Sequence, residues 1–563
     1  MAQRFHVPHS PSRPAAPRQR SAFESQLRKF PIGSMPYQST QCCCPTSFKD
    51  CPQSMAQYCH GLLSLAMSLT MFIIALDNTI ITMAIPKITD QFHSLDDISW
   101  YELPTDHEFF IYLLTTAAFQ LLFGRLYSFL SLKWVYLGAI VVFEIGSLIC
   151  AVSPSSTVLI VGRGIAGLGG TLIICAHAVP LDKRSIYMGI LGAVYWVGSV
   201  VGPLIGGALT DKVTWRWCSY INLPMGAATV LIIILFFKPP GDSHVGGQMR
   251  LVDRIQQFDP WGTVIFIPAI VCLLLALQWG GSKYPWSDRR IIALLVLFVI
   301  LIVIFMSIQV WKQENATVPP RIFTQKGVLP AVWFALALSS SFLSLVYLLP
   351  IYFQGIKGVT AIESGIHNLP MLFAIVISSL IAGGAITAVG YYTPFMLLAS
   401  LFTAVGAGLL STLTVDAPHA KWIGYQAIYG IGVGFGINQA LMAVQTVLPI
   451  EDVSIGMSLV LFMQTLGWSV FVSVSQNVLH SKLISGLAKH VPNVSDPAAI
   501  LSAGATSLRT TVDPALLPQV LVVYNEALVS AYYVACAMAA LSILGALASE
   551  WKSVKRKKEG TIG

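Results

Sequence analysis

The sequence predicts an all-α polytopic membrane protein, and three observations lead to this fold class. Of the 563 residues, 55% are apolar and only 11% are charged, whereas a soluble domain carries about 25% charged residues. The apolar residues gather in runs of about 20, and each run is long enough for one membrane-spanning helix. The net charge of +8 is concentrated at the two ends of the chain, which favours membrane topology over nucleic-acid binding.

Fourteen apolar runs predict fourteen transmembrane helices. Glycine and proline inside these runs are compatible with helices in a membrane, where both residues are common. The predicted spans cover residues 60–85, 109–128, 134–153, 157–179, 186–208, 218–237, 261–280, 290–311, 329–353, 367–388, 394–413, 421–447, 455–479 and 528–549.

The basic residues of the connecting segments predict the orientation. With the amino terminus in the cytoplasm, the cytoplasmic segments hold about twice as many lysines and arginines as the outer segments, which fits the positive-inside rule. Residues 1–55 are rich in Pro, Ser, Gln and Arg and are predicted to form a disordered cytoplasmic tail. The basic residues of 551–563 then place the carboxyl terminus on the same side. Asn493, in an Asn-Val-Ser sequon of the last long outer loop, is a candidate glycosylation site.

Ionisable residues inside the predicted spans are the candidate functional residues, because each costs about 2.5–3.5 kcal/mol at the bilayer centre. Asp77 lies in the first span, Glu144 in the third and Arg163 in the fourth. A buried carboxylate can change its protonation, which suits proton coupling, whereas an arginine stays charged and needs a partner. Either carboxylate can pair with Arg163, and either can instead be a structural acid.

The fifth predicted span contains the sequence Gly-Ser-Val-Val-Gly-Pro-Leu-Ile-Gly-Gly at residues 198–207. Gly198, Gly202 and Gly206 share one helix face and let a neighbouring backbone come close. Pro203 removes a backbone donor and bends the helix. With Gly207, this segment resembles the antiporter motif of the proton-coupled exporters in the major facilitator superfamily.

Other segments resemble the fourteen-span drug:proton antiporters of the same superfamily. The resemblance extends over about residues 60–550, and within the family the sequence is similar to fungal efflux pumps for toxins and secondary metabolites. It implies that Arg163 takes part in proton transfer. The similar segments are residues 76–86, 162–169, 215–224, 277–281 and 349–354.

The resemblance implies a major facilitator fold, in which two pseudo-symmetric six-helix halves are joined by two extra spans. It also implies the export of small organic molecules, driven by inward proton flow through a site at or near Asp77 and Arg163. We expect a monomer in the plasma membrane, or in a vacuolar or vesicle membrane, that binds its substrate, protons and lipid but no nucleic acid, cofactor or metal. The predicted regions are the tail 1–55, the N-terminal half 56–240, the linker 241–325 with the extra spans, the C-terminal half 326–550 and the tail 551–563.

Three segments depart from the pattern of this family. Ser128 stands where the superfamily usually has an aspartate, and only Lys133 remains of a basic pair. Residues 102–108 bring ionisable groups in front of the second span, which we therefore begin after Glu108. The stretch 169–180 is a few residues short and trims the fourth span.

Polar and aromatic residues of the spans are candidates for the substrate route, although packing between helices is the alternative role for each of them. In the family the substrate pocket lies near mid-membrane between the two halves. The candidates are Tyr195, Trp196, Gln354, Asn438, Gln439 and Gln464.

Other function classes remain open alongside export. The chain has no Gly-x-x-x-x-Gly-Lys-Ser/Thr sequence, which disfavours ATP-driven transport by this chain alone. An uptake carrier of the same fold, for a siderophore or a sugar, is one alternative, and a non-transporting membrane sensor is another. A membrane-embedded enzyme is disfavoured, because neither a His-rich metal cluster nor a nucleophile–base pairing is recognisable in the sequence.

Overall fold

The structure is a computed structural model, and α-helices dominate the part of the chain that it describes. The described residues are 53–81, 107–170, 181–237, 259–281, 284–491 and 512–555, with the single positions 84, 88 and 508. Four parts of the sequence discussed above lie outside these ranges. They are the two predicted tails apart from a few residues, the inserted residues 102–106, the short stretch 171–180 and the sequon at Asn493.

The long helices are numbered α1 to α14 in chain order. They are Gln53–Ile80 (α1), His107–Phe129 (α2), Leu132–Val152 (α3), Ser156–Gly169 (α4), Leu181–Lys212 (α5), Asn222–Phe236 (α6), Pro260–Trp279 (α7), Arg289–Lys312 (α8), Val328–Ile351 (α9), Leu369–Val389 (α10), Thr393–Leu410 (α11), His419–Gly436 (α12), Val453–His490 (α13) and Leu517–Ala548 (α14). Short helical segments flank some of them, namely Trp217–Tyr220, Gln313–Asn315, Pro320–Phe323, the π-helical turn Tyr352–Lys357, Ala361–His367 and Gln439–Val447.

Not all of these helices meet the length and hydropathy expected of a membrane span. Within the described ranges, eleven helices are long and apolar enough to cross a membrane, and Ser64–Ile80 and Ser156–Gly169 are shorter apolar helices. The predicted all-α class is confirmed, and the number of fourteen spans stays a prediction.

The last two long helices extend well beyond the spans predicted for them. α13 continues past residue 479 to His490, and α14 begins at Leu517 instead of residue 528. Leu483 and Leu487 of α13 belong to the same buried cluster as Tyr524 of α14, so packing between the helices continues where the apolar run ends. Hydropathy marks the lipid boundary, whereas helix–helix packing sets the length of the helix.

Helix α8 has the composition of a helix that faces lipid. Its side chains at Val299, Val303 and Val310 are 53%, 58% and 59% exposed. In water such a stripe would form an apolar patch larger than monomeric soluble proteins tolerate, whereas acyl chains accept it without cost.

The helices pack in two similar groups. In the first group, α1 packs on α5 and α6, α4 packs on α2 and α3, and α3 packs on α6. In the second group, α9 packs on α13 and α14, α12 packs on α10 and α11, and α11 packs on α14. Adding eight to each helix number converts the first set of contacts into the second, which is the signature of an internal structural repeat.

Two seams join the groups. One is the contact of α2 with α13, and the other is the contact of α5 with α10; we call them the α2–α13 seam and the α5–α10 seam. They exchange under the same shift of eight, as a pseudo-two-fold axis requires. Helices α7 and α8 pack on each other, and α7 lies against both α2 and α13.

Candidate functional site

A buried ion pair lies inside the first group of helices. The Arg163 Nη1 atom of α4 is 2.6 Å from Asp77 Oδ2 of α1, and these residues are only 1% and 2% exposed. The other carboxylate oxygen, Asp77 Oδ1, accepts a hydrogen bond of 2.8 Å from the side-chain amide of Asn222 at the start of α6. That amide also donates to the Ser147 hydroxyl of α3 at 3.2 Å. The Asp77 carboxylate, directly and through Asn222, therefore connects α1, α3, α4 and α6.

An aromatic ring covers the arginine. The Arg163 Cζ atom lies 5.0 Å from the centre of the Tyr112 ring on α2, which is a cation–π distance. A methyl group on Gly170 would lie 2.0 Å from the Tyr112 hydroxyl, so α4 leaves room for this ring only because that position lacks a side chain. Five of the first six helices, all except α5, thus contribute a side chain to one polar cluster.

The chemistry of this cluster centres on the carboxylate. A buried ion pair stays together because separating its members leaves an uncompensated charge in a medium of low polarity. Arginine does not lose its proton in proteins. Any change of protonation within the ion pair therefore takes place on Asp77, and it removes the attraction that holds Arg163 in place.

Glu144 lies close by but is not part of the ion pair. It lines a small cavity between α3 and α6 together with Thr70, Phe143 and Gly226, and both carboxyl oxygens lack a hydrogen-bond partner among the described residues. A methyl group on Gly226 would lie 1.7 Å from Glu144 Oε1. Of the two partners that the sequence left open for Arg163, the structure pairs it with Asp77.

The glycine-rich face of α5 lies against α1. A methyl group on Gly202 would come within 2.0 Å of the Thr79 hydroxyl, and one on Gly206 within 2.3 Å of the Ile80 carbonyl oxygen. Gly198 approaches the α1 backbone in the same way, at 2.9 Å. These three positions form a close helix contact a short distance along α1 from Asp77.

The two remaining residues of this motif differ from the other three. Pro203 lies inside α5, where it interrupts the backbone hydrogen bonding. Gly207 has no atom within 4 Å of the position of a Cβ, so no close helix contact requires a glycine there.

Each seam has a close backbone contact. In the α2–α13 seam a methyl group on Gly124 would lie 2.0 Å from the Ser458 hydroxyl. In the α5–α10 seam one on Gly189 would lie 2.9 Å from the Ser379 carbonyl oxygen, and the Ser379 hydroxyl donates to the Gly189 carbonyl at 3.3 Å.

Some of the candidate residues for the substrate route lie where the groups meet. The rings of Tyr195 and Trp196 are 5.2 Å apart, and Trp196 makes an edge contact of 5.0 Å with Phe342 of α9. Asn438, at the break between α12 and Gln439–Val447, donates to the Met188 carbonyl of α5 at 3.3 Å.

The other three candidates for the substrate route do not all lie at this contact between the two groups of helices. Gln464 donates to the Ile437 carbonyl at 3.3 Å, next to the break after α12. Gln439 is 4% exposed, and its side-chain oxygen has no partner within the described ranges. Gln354 lies instead in the π-helical turn that follows α9.

A polar network runs from α2 to α13 through the segment after α8. The Ser128 hydroxyl donates to the Gly124 carbonyl of its own helix at 3.1 Å. Arg125 donates to the Glu314 carbonyl at 3.0 Å, Arg321 lies 3.2 Å from the Glu314 carboxylate, and it also lies 2.8 Å from Asp452. The first group is thus linked to the second through residues that the sequence did not single out.

A buried aspartate, Asp259, binds the segment that follows α8. Asp259, just before α7, is 0% exposed and accepts hydrogen bonds from Gln309 and Thr317, both at 2.9 Å, and Lys312 Nζ lies 2.8 Å from it. Burial alone would raise the pKa of this carboxyl, but hydrogen bonds from Lys312 and Gln309 outweigh it and hold the pKa below its usual value.

Sequence reasoning missed three residues of the ion-pair cluster, Tyr112, Ser147 and Asn222. Asn222 lies in the 215–224 segment that carries the family resemblance, so a signal was present without a role attached to it. Serine and tyrosine are common in membrane helices, and only the packing of α2 and α3 shows where these two point. In the described part of the chain, no group of three or more His, Cys, Asp or Glu residues could hold a metal ion.

The chain is similar to one group of proteins along most of its length. The family model of the Major Facilitator Superfamily matches residues 67–472. The MFS-type transporter astH of Aspergillus oryzae is 51% identical over 88% of each chain. The MFS-type efflux pump MFS1 of Arthroderma benhamiae is 49% identical over 87% of this chain and 91% of that protein. The efflux pump aflT of Aspergillus parasiticus is 46% identical over 88% and 96%.

Solved structures resemble it in fold. The proton:xylose symporter XylE superposes with a TM-score of 0.54 at 12% identity, over 87% of this chain and 95% of that one. The human organic anion transporter MFSD10 superposes with a TM-score of 0.52 at 13% identity, over 84% and 99%. At such low identity the likeness concerns the fold alone.

Proposed function

Because the chain belongs to the major facilitator superfamily, whose members are multi-pass membrane transporters and not enzymes, we propose that it exports small organic molecules by proton-coupled secondary active transport. Two relatives carry the name efflux pump, which supports the outward direction. The cargo is a toxin, a drug or a secondary metabolite. The ion pair between Asp77 and Arg163 is the observation that carries the proposal.

The proton site is Asp77. When this carboxylate takes up a proton from outside, its attraction to Arg163 falls, and the arginine moves toward other acceptors. When the proton leaves to the cytoplasm, the ion pair forms again. Each charge that crosses a membrane potential of 100 mV supplies about 2.3 kcal/mol, and the pH gradient adds to this.

The antiporter motif transmits a movement of α1 to α5. A shift of α1 is felt directly at Gly202 and Gly206, because neither position has room for independent movement. Helix α5 in turn contacts α10 across its seam. Protonation in the first group of helices thereby biases the rocking of one half against the other.

Glu144 is a second acid of the same half. Its buried oxygens without partners are the state expected of a carboxyl group that holds its own proton. It exchanges that proton with the outside and shares the coupling with Asp77, although it does not contact Arg163.

We assign the architecture as twelve helices in two halves plus two extra spans. The N-terminal half is 56–240, the linker with α7 and α8 is 241–325, and the C-terminal half is 326–550. The repeat of helix contacts after a shift of eight supports these divisions. The tails 1–55 and 551–563 flank them, and the total is fourteen spans.

The protein works as a monomer in the plasma membrane with both termini in the cytoplasm. This orientation puts Asn493 outside, where it can be glycosylated. It puts the second sequon, Asn-Ala-Thr at Asn315, inside, where it stays bare. An enzyme that removes N-linked glycans should therefore shift the mobility of the unaltered protein and not of the Asn493→Gln variant.

The substrate route follows the contact region of the halves. The edge contact of Trp196 with Phe342 and the bond from Asn438 to α5 support its position. Tyr195, Gln439 and Gln464 line the route near these residues, and Gln354 lies at its outer end.

The test is the Asp77→Asn variant in vesicles with an imposed pH gradient. We expect surface expression to persist and export of a panel of toxins and azoles to stop, because an amide cannot take part in proton exchange. The matched control is Glu526→Gln, which changes an exposed carboxylate of α14 and should leave export unaltered.

Normal export by Asp77→Asn would refute the proton role of this residue. Accumulation of substrate in the direction of the proton flow would favour the uptake carrier instead. Absence of any substrate-dependent proton movement in the unaltered protein would favour the sensor.

A further inference from the structure

Hydrogen-bond donors without partners lie along the α2–α13 seam. Gln120 and Tyr112 of α2 are 3% and 2% exposed. Within the part of the chain that the structure describes, the Gln120 amide nitrogen, the Tyr112 hydroxyl and the Trp468 indole nitrogen of α13 are buried without a hydrogen-bond partner. Burying a polar group without a partner is costly, so three such groups in one region require an explanation.

The packing places these donors along one seam. Gln120 precedes Gly124 by one helical turn and shares the face whose backbone touches Ser458 of α13. Elsewhere on α13, Trp468 packs against the buried cluster that contains Tyr112. Both halves therefore contribute donors to the same contact.

The surroundings are apolar and include the ion pair of Asp77 and Arg163. The cluster around Tyr112 consists of Ile73, Leu113, Phe143 and Ala166, with Trp468 packed on it. The guanidinium of Arg163 lies under the Tyr112 ring. A molecule at this place meets apolar walls and donor groups, next to an ion pair whose charges compensate each other.

We propose that the Gln120, Tyr112 and Trp468 side chains recognise substrates that are neutral, planar and largely apolar and that carry carbonyl oxygens, as quinones, lactones and aromatic ketones do. The indole nitrogen and the amide nitrogen can only donate, so their partner must be an acceptor. A cationic amine, which has no acceptor, would leave both unpaired. This inference rests on the proposed function, because it gives that transporter its substrate class.

The position of Tyr112 also connects recognition to the proton site. Its ring lies on Arg163 and its hydroxyl is free to bind the substrate. A substrate that holds the Tyr112 ring in place changes its cation–π contact with the Arg163 guanidinium. This change in turn affects the ion pair of Arg163 with Asp77. Substrate and proton then act on the same arginine from opposite sides.

The experiment compares two probes of the same ring shape, anthraquinone and anthracene. Radiolabelled probe is bound at equilibrium to the purified full-length chain in detergent, without any gradient. We expect Tyr112→Phe and Trp468→Phe each to weaken anthraquinone binding by about tenfold, the effect of one hydrogen bond. Anthracene has no acceptor, so its binding should stay unchanged, which also reports that the variants are folded.

The matched control is Tyr532→Phe. This tyrosine of α14 is 0% exposed, and its hydroxyl also lacks a partner among the described residues, but it lies outside the seam. Its substitution should not change the binding of either probe.

Three results would overturn the proposal. They are equal binding of both probes by the unaltered protein, unchanged anthraquinone binding in the two seam variants, and an equal loss in Tyr532→Phe. The proposed function fails separately. If the unaltered protein binds anthraquinone through these donors but exports nothing under a pH gradient, the site stands and the transport proposal falls.

Discussion

Helices α1 and α4 of the first group correspond to α9 and α12 of the second, yet the buried polar contacts of the two helix pairs differ in charge. Between α1 and α4, Asp77 and Arg163 form an ion pair at 2.6 Å. Between α9 and α12, Ser341 and Tyr429 share a hydrogen bond at 2.9 Å between two neutral hydroxyls. One fold repeat thus carries an ionised contact where the other carries a neutral one.

The difference extends over both halves. Among the described buried residues of the second group, only Asp452 is charged, and it lies at the start of α13. A neutral hydrogen bond does not respond to the uptake of a proton, whereas an ion pair does. This difference supports the proposal that the proton-dependent step belongs to the first half, with the second half responding through the seams.

The largest expected effect comes from removing one member of the ion pair. Arg163→Met leaves the Asp77 carboxylate buried without its cation, which should lower the free energy of unfolding by about 3–5 kcal/mol. Thermal unfolding in detergent measures this loss. It should shrink at acidic pH, where the lone carboxylate can take up a proton.

The double variant Asp77→Asn, Arg163→Met is the control, because it removes both charges together. It should regain most of the lost stability. If it is no more stable than Arg163→Met alone, the ion pair is not the reason for the loss.

A smaller effect is expected from the third member of the cluster. Asn222→Ala removes a hydrogen bond to a charged group, which contributes about 1.5–3 kcal/mol. Because this donor holds the carboxylate that pairs with Arg163, its loss should also reduce export under a fixed pH gradient. Ser147→Ala, which removes only the neutral partner of that amide, should leave export unaltered, and equal losses in both variants would contradict this role.

The neutral pair of the second half should matter less. Tyr429→Phe breaks one hydrogen bond between hydroxyls and should lower the free energy of unfolding by about 0.5–1.5 kcal/mol. Proton uptake per exported molecule should remain the same. If that ratio changes, both halves contain the coupling machinery and the contrast between them disappears.

The smallest effect is expected at the network that links the halves. Arg321 and Glu314 are 51% and 66% exposed in their side chains, so Glu314→Gln, which breaks this ion pair and leaves the one with Asp452 in place, should cost no more than about 1 kcal/mol. The difference should vanish at high salt, because screening already weakens exposed ion pairs. Glu314→Asp keeps the charge and should behave like the unaltered protein, and a loss that persists at high salt would point to packing instead.

Composition and periodic apolar runs predicted the all-α membrane class, because lipid imposes the same length and hydropathy on every span. Side-chain partners could not be predicted in the same way. Asp77 and Glu144 are equally plausible partners of Arg163 in the sequence, and only the arrangement of α1, α3 and α4 distinguishes them. Tyr112 belongs to the cluster because Gly170 leaves space for its ring, a relation between distant positions that one sequence does not display.

The ends of the last helices show a second limit of the sequence. Lys482 and Asn525 interrupt the apolar runs, so hydropathy ended α13 early and began α14 late. Their neighbours Leu483 and Tyr524 pack between the helices nonetheless. Polar residues on the outer face and apolar residues on the inner face prolong a helix beyond the lipid, and hydropathy averages over both faces.

The placement of α7 makes the two seams unequal. Because α7 lies across α2 and α13, acyl chains are kept from one of the two lines along which the halves meet. Along the other line, between α5 and α10, the described helix that contacts both is the short segment Ala361–His367, which covers less of the line than a full span does. We therefore expect an apolar compound dissolved in the membrane to enter the protein from the side of the α5–α10 seam. On the other side, the extra helices block its access to the α2–α13 seam.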